Sequence, residues 1–365
     1  MSHPDEQIWT ERGLLDPSKS NASQRVELLT WLAQRGTTIT EMAEAQRKGQ
    51  LNALAGDLTL RPGPKMTPRQ VAGELGLEIA FIQEIWSLVG LSWIEADDAV
   101  ITRPDFAFIE MFQSAEEMFS REEIARFVTV LGASLRRIAD AAGEMFLQDV
   151  EAPLKASNAS PELELARANL EGTELARAAS TLFPPLFLAH LENSTARTRV
   201  ARQDSEDYDT IRLAVGFVDL SGFTERSRSM SPRDLRDMIT AFERRANQIV
   251  SEYDGRIVKL IGDEVMFSAV TAAAGCAIAL ALTADAPDGT QARGGLAFGE
   301  VIASGGDLYG PIVNIASRLA DIAIPNEVLV NEAVMEGVQG RVFEPAGRRQ
   351  LKGFSEPVPL WTLSS

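Results

Sequence analysis

Two aspartates, Asp219 and Asp263, stand in settings that suit a hard cation. Asp219 lies in Phe-Val-Asp-Leu-Ser-Gly-Phe-Thr (217–224), directly after the apolar run 213–218, which reads as a buried strand. The residues that follow, Ser221, Gly222, Phe223 and Thr224, read as a helix start whose free backbone N–H groups suit phosphate. Asp263 lies in Gly-Arg-Ile-Val-Lys-Leu-Ile-Gly-Asp-Glu-Val-Met-Phe (255–267), with short strands over 256–260 and 265–268 and a Gly262-Asp263 turn between them. Such a hairpin carries Asp263 at its tip, beside the end of a neighbouring strand. Two carboxylates there would hold one or two hard cations bound to a polyphosphate.

A third stretch is Gly-Asp-Leu-Tyr-Gly-Pro-Ile-Val-Asn-Ile-Ala-Ser-Arg-Leu (306–319). Pro311 suits a first helical turn, and Asn314 and Arg318, four apart, share one helix face. An amide beside a guanidinium can fix a ribose and offset charge building on a phosphate.

Together, Asp219 in F-V-D-L-S-G-F-T, Lys259 and Asp263 in K-L-I-G-D-E, Asp307 in D-L-Y-G, and N-I-A-S-R resemble the class III nucleotidyl cyclase domain. The resemblance covers roughly 211–363, with the motifs in the family's order. It is closest in kind to soluble bacterial adenylyl cyclases with an N-terminal helical regulatory, autoinhibitory domain. It implies conversion of ATP to 3′,5′-cyclic AMP and pyrophosphate, a phosphorus–oxygen lyase reaction. Two Mg2+ or Mn2+ ions per active site would sit on Asp219 and Asp263, and Asn314 and Arg318 would be catalytic. Lys352, in Leu-Lys-Gly-Phe (351–354), matches the family's lysine for the terminal phosphate.

The base follows from Lys259 and Asp307. A lysine can donate to adenine N1, and an aspartate can accept from the exocyclic amino group; guanine presents the reverse pattern, so the pair favours ATP. In the family the metal aspartates come from one catalytic domain and the base-reading and Asn–Arg pairs from its partner. All occur in this chain, which implies a homodimer with two complete sites. The alternative is a catalytically silent, nucleotide-sensing protein on the same fold, against which the intact Asp219, Asp263, Asn314 and Arg318 argue.

The elements that must position these residues occupy the second part of a 365-residue chain. Residues 231–234, Ser-Pro-Arg-Asp, start a helix whose stripe Leu235, Ile239, Phe242, Ala246 and Ile249 packs on a sheet. Strands over 292–297 and 328–330 extend that sheet, and the apolar 270–284 reads as a helix. The fold class is an N-terminal all-α regulatory domain plus a C-terminal α+β, ferredoxin-like cyclase domain. The expected boundaries are a helical domain over 1–183, a coupling linker over 184–209 and the catalytic domain over 210–365.

In the helical part, the spacing predicts helices over 23–35, 40–54, 106–119, 122–146 and 162–181, the last broken by Pro184-Pro185. Phe108, Phe112, Phe119, Phe127, Val130, Leu131 and Leu135 read as core, with an apolar ligand pocket as a further option. Residues 66–91 have a helix-turn-helix look, with Thr67-Pro68 as a start and Gly76 as the turn. The second helix carries no Lys or Arg over 78–88, and the chain has 35 basic against 52 acidic residues, so nucleic acid is excluded as a partner. His190, in the linker, is a candidate pH switch. A single cysteine, Cys276, and the absence of a secretory signal or a transmembrane stretch predict a cytoplasmic protein.

Overall fold

In a computed structural model, described over residues 5–157, 161–202, 209–284, 286 and 290–364, the first half is helical and the second combines a mixed sheet with helices. The chain divides into two compact units, Met1–Phe187 and Leu188–Ser365.

The first unit is helical: α1 (Glu6–Glu11), α2 (Ala22–Ala33), α3 (Ile39–Arg47), α4 (Leu54–Leu60), α5 (Pro68–Leu75), α6 (Ile79–Leu88), α7 (Phe106–Ala115), α8 (Arg121–Phe146), α9 (Ala152–Ser157) and α10 (Glu162–Ala179). Thr38 and Thr67 each start a helix through a reciprocal capping box, with Glu41 and Gln70 respectively. Two apolar clusters hold the unit. One joins Trp9, Leu28, Leu32 and Met42 to Ala166 of α10; the other joins Val71, Ile82, Ile85 and Trp86 to Phe106, Ile109 and Phe112.

The helix-turn-helix segment forms as read, with Gly76 left-handed at φ 69° between α5 and α6. Two expectations fail. The helix expected over 40–54 stops at Arg47, because Gly49 adopts φ 70°, and the next helix begins only at Leu54. Much of the expected aromatic core is at the surface: Phe119 and Phe127 are 55% and 50% exposed, and Val130 and Leu135 are exposed as well. Only Ile124, Val128 and Gly132 of α8 are buried, a single i, i+4, i+8 stripe. Most of its other apolar residues are exposed; Leu131 and Phe146 are half-buried, as is Phe108 of α7, and Phe112 is buried as read.

The segment read as a linker is largely helix α11 (Phe183–Ala201), with Pro184 and Pro185 inside its first turn, where proline's missing N–H costs nothing. The acidic residues 203–208 lie outside the described residues.

The second unit continues with β1 (Ile211–Ser221), α12 (Phe223–Ser227), α13 (Pro232–Glu252), β2 (Arg256–Ile261), β3 (Glu264–Ala269), α14 (Ala272–Ala284), β4 (Gln291–Ser304), β5 (Asp307–Tyr309), α15 (Pro311–Ile322), β6 (Val328–Asn331), α16 (Glu332–Gly337), β7 (Val342–Arg349) and β8 (Val358–Ser364). The sheet order is β2-β3-β1-β4-β6-β8-β7, with β5 paired to β4; among the described residues only β4 and β6 run parallel. Alternation splits β1 between two cores. Ala214 and Val218 face α13 and α14 with Phe242, Ile249, Cys276 and Ile278, while Leu213, Val215 and Phe217 face Ala316 and Ala320 of α15. Burial raises the Cys276 thiol to about 11, so it packs as an inert apolar group.

The α15 side depends on one close approach. A Cβ on Gly295 would lie 2.2 Å from the Ala316 carbonyl oxygen and 2.3 Å from the Ala320 nitrogen, so glycine lets the helix that carries Asn314 and Arg318 lie directly on β4.

Candidate active site

The carboxylate end of the site is built on three strands. Asp219 is not at a strand end, as its sequence context suggests: β1 runs two residues further, to Ser221, because 219–221 continue the ladder with β4. Asp219 therefore has a residue directly opposite on each side, Glu264 on β3 and Arg293 on β4. Asp263 sits in the β2–β3 turn, where Gly262 adopts φ 65°. The turn is stapled to β1 by the Leu220 N–H, which donates to the Asp263 carbonyl at 3.2 Å.

This arrangement crowds acids. Burial, then the charge of Asp219, raises the Asp263 carboxyl to about 6. Burial, then the charges of Asp219, Asp321 and Asp263, raises Glu264 to about 7. Arg293 offsets part of this: its Nε and Nη2 lie 3.3 and 3.1 Å from Asp219 Oδ2. Its Nη1 donates to the backbone oxygens of Asp321 and Ala323, at 2.9 and 3.4 Å, at the end of α15.

Among the described residues no group of three or more His, Cys, Asp or Glu side chains is assembled for a metal ion. The Asp219–Asp263 pair nevertheless fits one. Its donors are hard oxygens, and the mutual repulsion that raises Asp263 is what a divalent cation between them would relieve.

The second group is an ion pair. Lys259 Nζ lies 2.6 Å from Asp307 Oδ2, and the Leu308 N–H donates to Asp307 Oδ1 at 2.8 Å. Partial burial acts to raise Asp307, but the Lys259 and Leu308 hydrogen bonds and the charges of Lys259 and Arg256 hold it below its ordinary value. Lys259 pairs in register with Met266, and Met266 with Phe217, so it lies on the sheet face that Asp219 shares. The third group is on α15, which starts at Gly310-Pro311 as the spacing predicts; Asn314 is exposed, and Arg318 Nη1 pairs with Asp321 Oδ2 at 2.8 Å.

A family model of the adenylate cyclase regulatory domain matches residues 9–193, and one of the adenylate and guanylate cyclase catalytic domain matches residues 204–365. The chain belongs to the class III adenylate cyclases. An adenylate cyclase of Streptomyces coelicolor is 31% identical, over 74% of this chain and 71% of that protein. An uncharacterised protein of Mycobacterium tuberculosis is 30% identical over 94% and 91%. A pH-sensitive adenylate cyclase of the same species is 25% identical over 93% and 87%. Among the described residues no helix of the cyclase is long and apolar enough to cross a membrane.

The remaining candidates are dispersed over the cyclase's second unit. Ser221 ends β1 with its hydroxyl buried and, among the described residues, without a hydrogen-bond partner; Gly222 (φ 76°) and Phe223 lead into the five-residue α12, and the Thr224 side chain lies outside the described residues. Lys352 is exposed in the β7–β8 connection, at the sheet edge opposite β2. His190 is exposed on α11 and lines a separate cleft. Sequence reasoning missed Arg293, Glu264 and Asp321. Arg293 had one signal, a charge inside the otherwise apolar and small-residue run 292–299.

Proposed function

We propose that the second unit converts ATP to 3′,5′-cyclic AMP and pyrophosphate. The observation that carries this reading is the Lys259–Asp307 pair, held at 2.6 Å with both ends reachable from solvent. It offers a donor beside an acceptor, the complement of the adenine N1 and amino group.

The remaining residues supply position and charge. Asp219 and Asp263 would hold two Mg2+ or Mn2+ ions. When bound, the ions neutralise the phosphates and lower the pKa of the ribose 3′-hydroxyl. The hydroxyl oxygen attacks the α-phosphorus and loses its proton, and the bond from that phosphorus to the bridging oxygen breaks, releasing pyrophosphate. Asn314 orients the ribose, and Arg318 donates to the α-phosphate as charge builds there, exchanging its Asp321 contact for the substrate. The backbone of 221–224 and Lys352 receive the outer phosphates.

Two copies of the chain would complete the site, with the aspartates from one and the Lys259–Asp307 and Asn314–Arg318 pairs from the other. The helical unit, acting through the linker over 184–209, regulates this pairing. The test is cyclic AMP formation from ATP, with GTP as control, by the full chain and by the Leu188–Ser365 unit. Turnover of ATP that falls on the order of a hundredfold or more in Asp219→Ala and Asp263→Ala supports the reading. ATP binding without turnover in either form overturns it in favour of a nucleotide sensor. A faster isolated unit makes the helical half inhibitory.

A further inference from the structure

The second unit contains a cleft of about 590 Å³ outside the carboxylate site, between α11, the start of β2 and the β4–β5 turn. Two arginines line it. Arg197 of α11 donates from Nη1 to the Gly255 carbonyl oxygen at 2.9 Å, and Arg256 of β2 donates from Nη2 to the Gly306 carbonyl oxygen. Each thus spends one of five N–H donors on a backbone oxygen. Among the described residues neither has a carboxylate within ion-pair distance, and Asp307 at the cleft's rim is taken by Lys259. Burial, then repulsion from Arg197, pushes the Arg256 guanidinium down, and the charge of Asp307 offsets part of this. Two like charges kept close in a partly closed cleft are costly, and an anion between them relieves that cost.

The rest of the lining narrows the ligand. Ser194 and Thr198 of α11, Ser251 and Asn247 of α13, and His190 add hydrogen-bonding groups around the pair, beside an apolar wall that includes Leu213 and Val270. A simple inorganic anion leaves most of that volume unused. We propose that this cleft binds a hydroxylated phosphomonoester of sugar-phosphate size, its phosphate between Arg197 and Arg256 and its hydroxyls on the serine, threonine and asparagine side chains. The site is distinct from the cyclase centre. It borders that centre at Gly306, which Arg256 holds, and at Asp307, the acidic member of the base-reading pair, on the cleft's rim.

The test uses the full chain in chelator with no nucleoside triphosphate, so its result does not depend on whether the cyclase reaction occurs. Calorimetric titration with glucose 6-phosphate is compared with inorganic phosphate and with glucose. Saturable binding of glucose 6-phosphate, tighter than phosphate and absent for glucose, is expected. Arg197→Gln and Arg256→Gln should each weaken it at least about tenfold, and Arg197→Lys by less, as one charge-assisted bond in each would predict. Lys352→Ala, at the family's phosphate lysine, should leave it unchanged. Ser194→Asp, on the exposed side of α11, places a carboxylate in the cleft without removing an internal bond and should also weaken binding, which covers the case in which an arginine variant fails to fold. No saturable binding, or binding that survives both Arg197→Gln and Ser194→Asp, or loss in Lys352→Ala, overturns the proposal.

Discussion

Arg293 and Asp219 stand directly opposite each other on β4 and β1, and both Nε and Nη2 of the arginine reach the same carboxylate oxygen, Oδ2. The guanidinium thus occupies the charge environment in which the metal reading places a cation, while its Nη1 ties down the end of α15. Removing it leaves Asp219, Asp263 and Glu264 together without the one cation that, among the described residues, offsets their charge. In chelator, Arg293→Gln should lower the melting temperature, by the equivalent of about 1–3 kcal/mol for lost hydrogen bonds of a charged group. Added Mn2+ should then raise the melting temperature of Arg293→Gln more than that of the parent chain. Equal gains on Mn2+ addition would show that arginine and cation do not share this position.

The same crowding sets a pH dependence. Glu264 has its folded-state value raised from 4.5 to about 7, and Asp263 from 3.8 to about 6, so the folded chain binds these protons more tightly than the unfolded one. The resulting stability is fully present below the ordinary carboxylate values and is lost as pH rises through about 6 and then about 7. Metal-free protein should therefore melt lower at about pH 8 than at about pH 5.5, with Glu264 contributing on the order of 1 kcal/mol once residual solvent exposure is allowed for. Glu264→Gln should flatten that slope, and a chelated protein whose melting temperature rises over this interval would contradict the assignment.

The base-reading pair gives a specificity prediction. Replacing Lys259 by Glu and Asp307 by Cys removes the adenine donor and acceptor and puts an acceptor opposite the guanine N1–H. The ratio of ATP to GTP turnover should fall by about ten- to a hundredfold, the worth of one charge-assisted hydrogen bond made or lost. An unchanged ratio would mean that the base is read elsewhere.

How far these features could be read from residue types depends on distance along the chain. Asp263 at a Gly-Asp turn, and Asn314 and Arg318 at a helical interval after a proline, are local patterns, and α15 and the β2–β3 hairpin place them as read. Arg293 and Asp219 are 74 residues apart, and their pairing exists only through the β1–β4 register, which no local pattern specifies. The exposed Phe119 and Phe127 fail for a related reason. Amphipathic spacing shows that α8 has an apolar face, but only the neighbouring helices decide how much of that face is covered, and here they bury the Ile124–Val128–Gly132 stripe and leave most of the rest exposed.

Gly295 joins these two scales. Its position in β4 is unremarkable as sequence, yet a methyl group there would overlap the α15 backbone at Ala316 and Ala320. Because the obstacle is main chain, it cannot swing aside as a side-chain tip would, and the helix must move as a body. Gly295→Ala should cost about 1–3 kcal/mol of stability, as overpacking does. It should also reduce cyclic AMP formation well beyond that loss, because Asn314 and Arg318 shift with the helix while the Lys259–Asp307 pair stays in place. The expected signature is a large fall in kcat with little change in the KM for ATP, measured at a temperature where the variant remains folded. A variant with reduced stability but full kcat would separate the packing of α15 from the chemistry proposed for it.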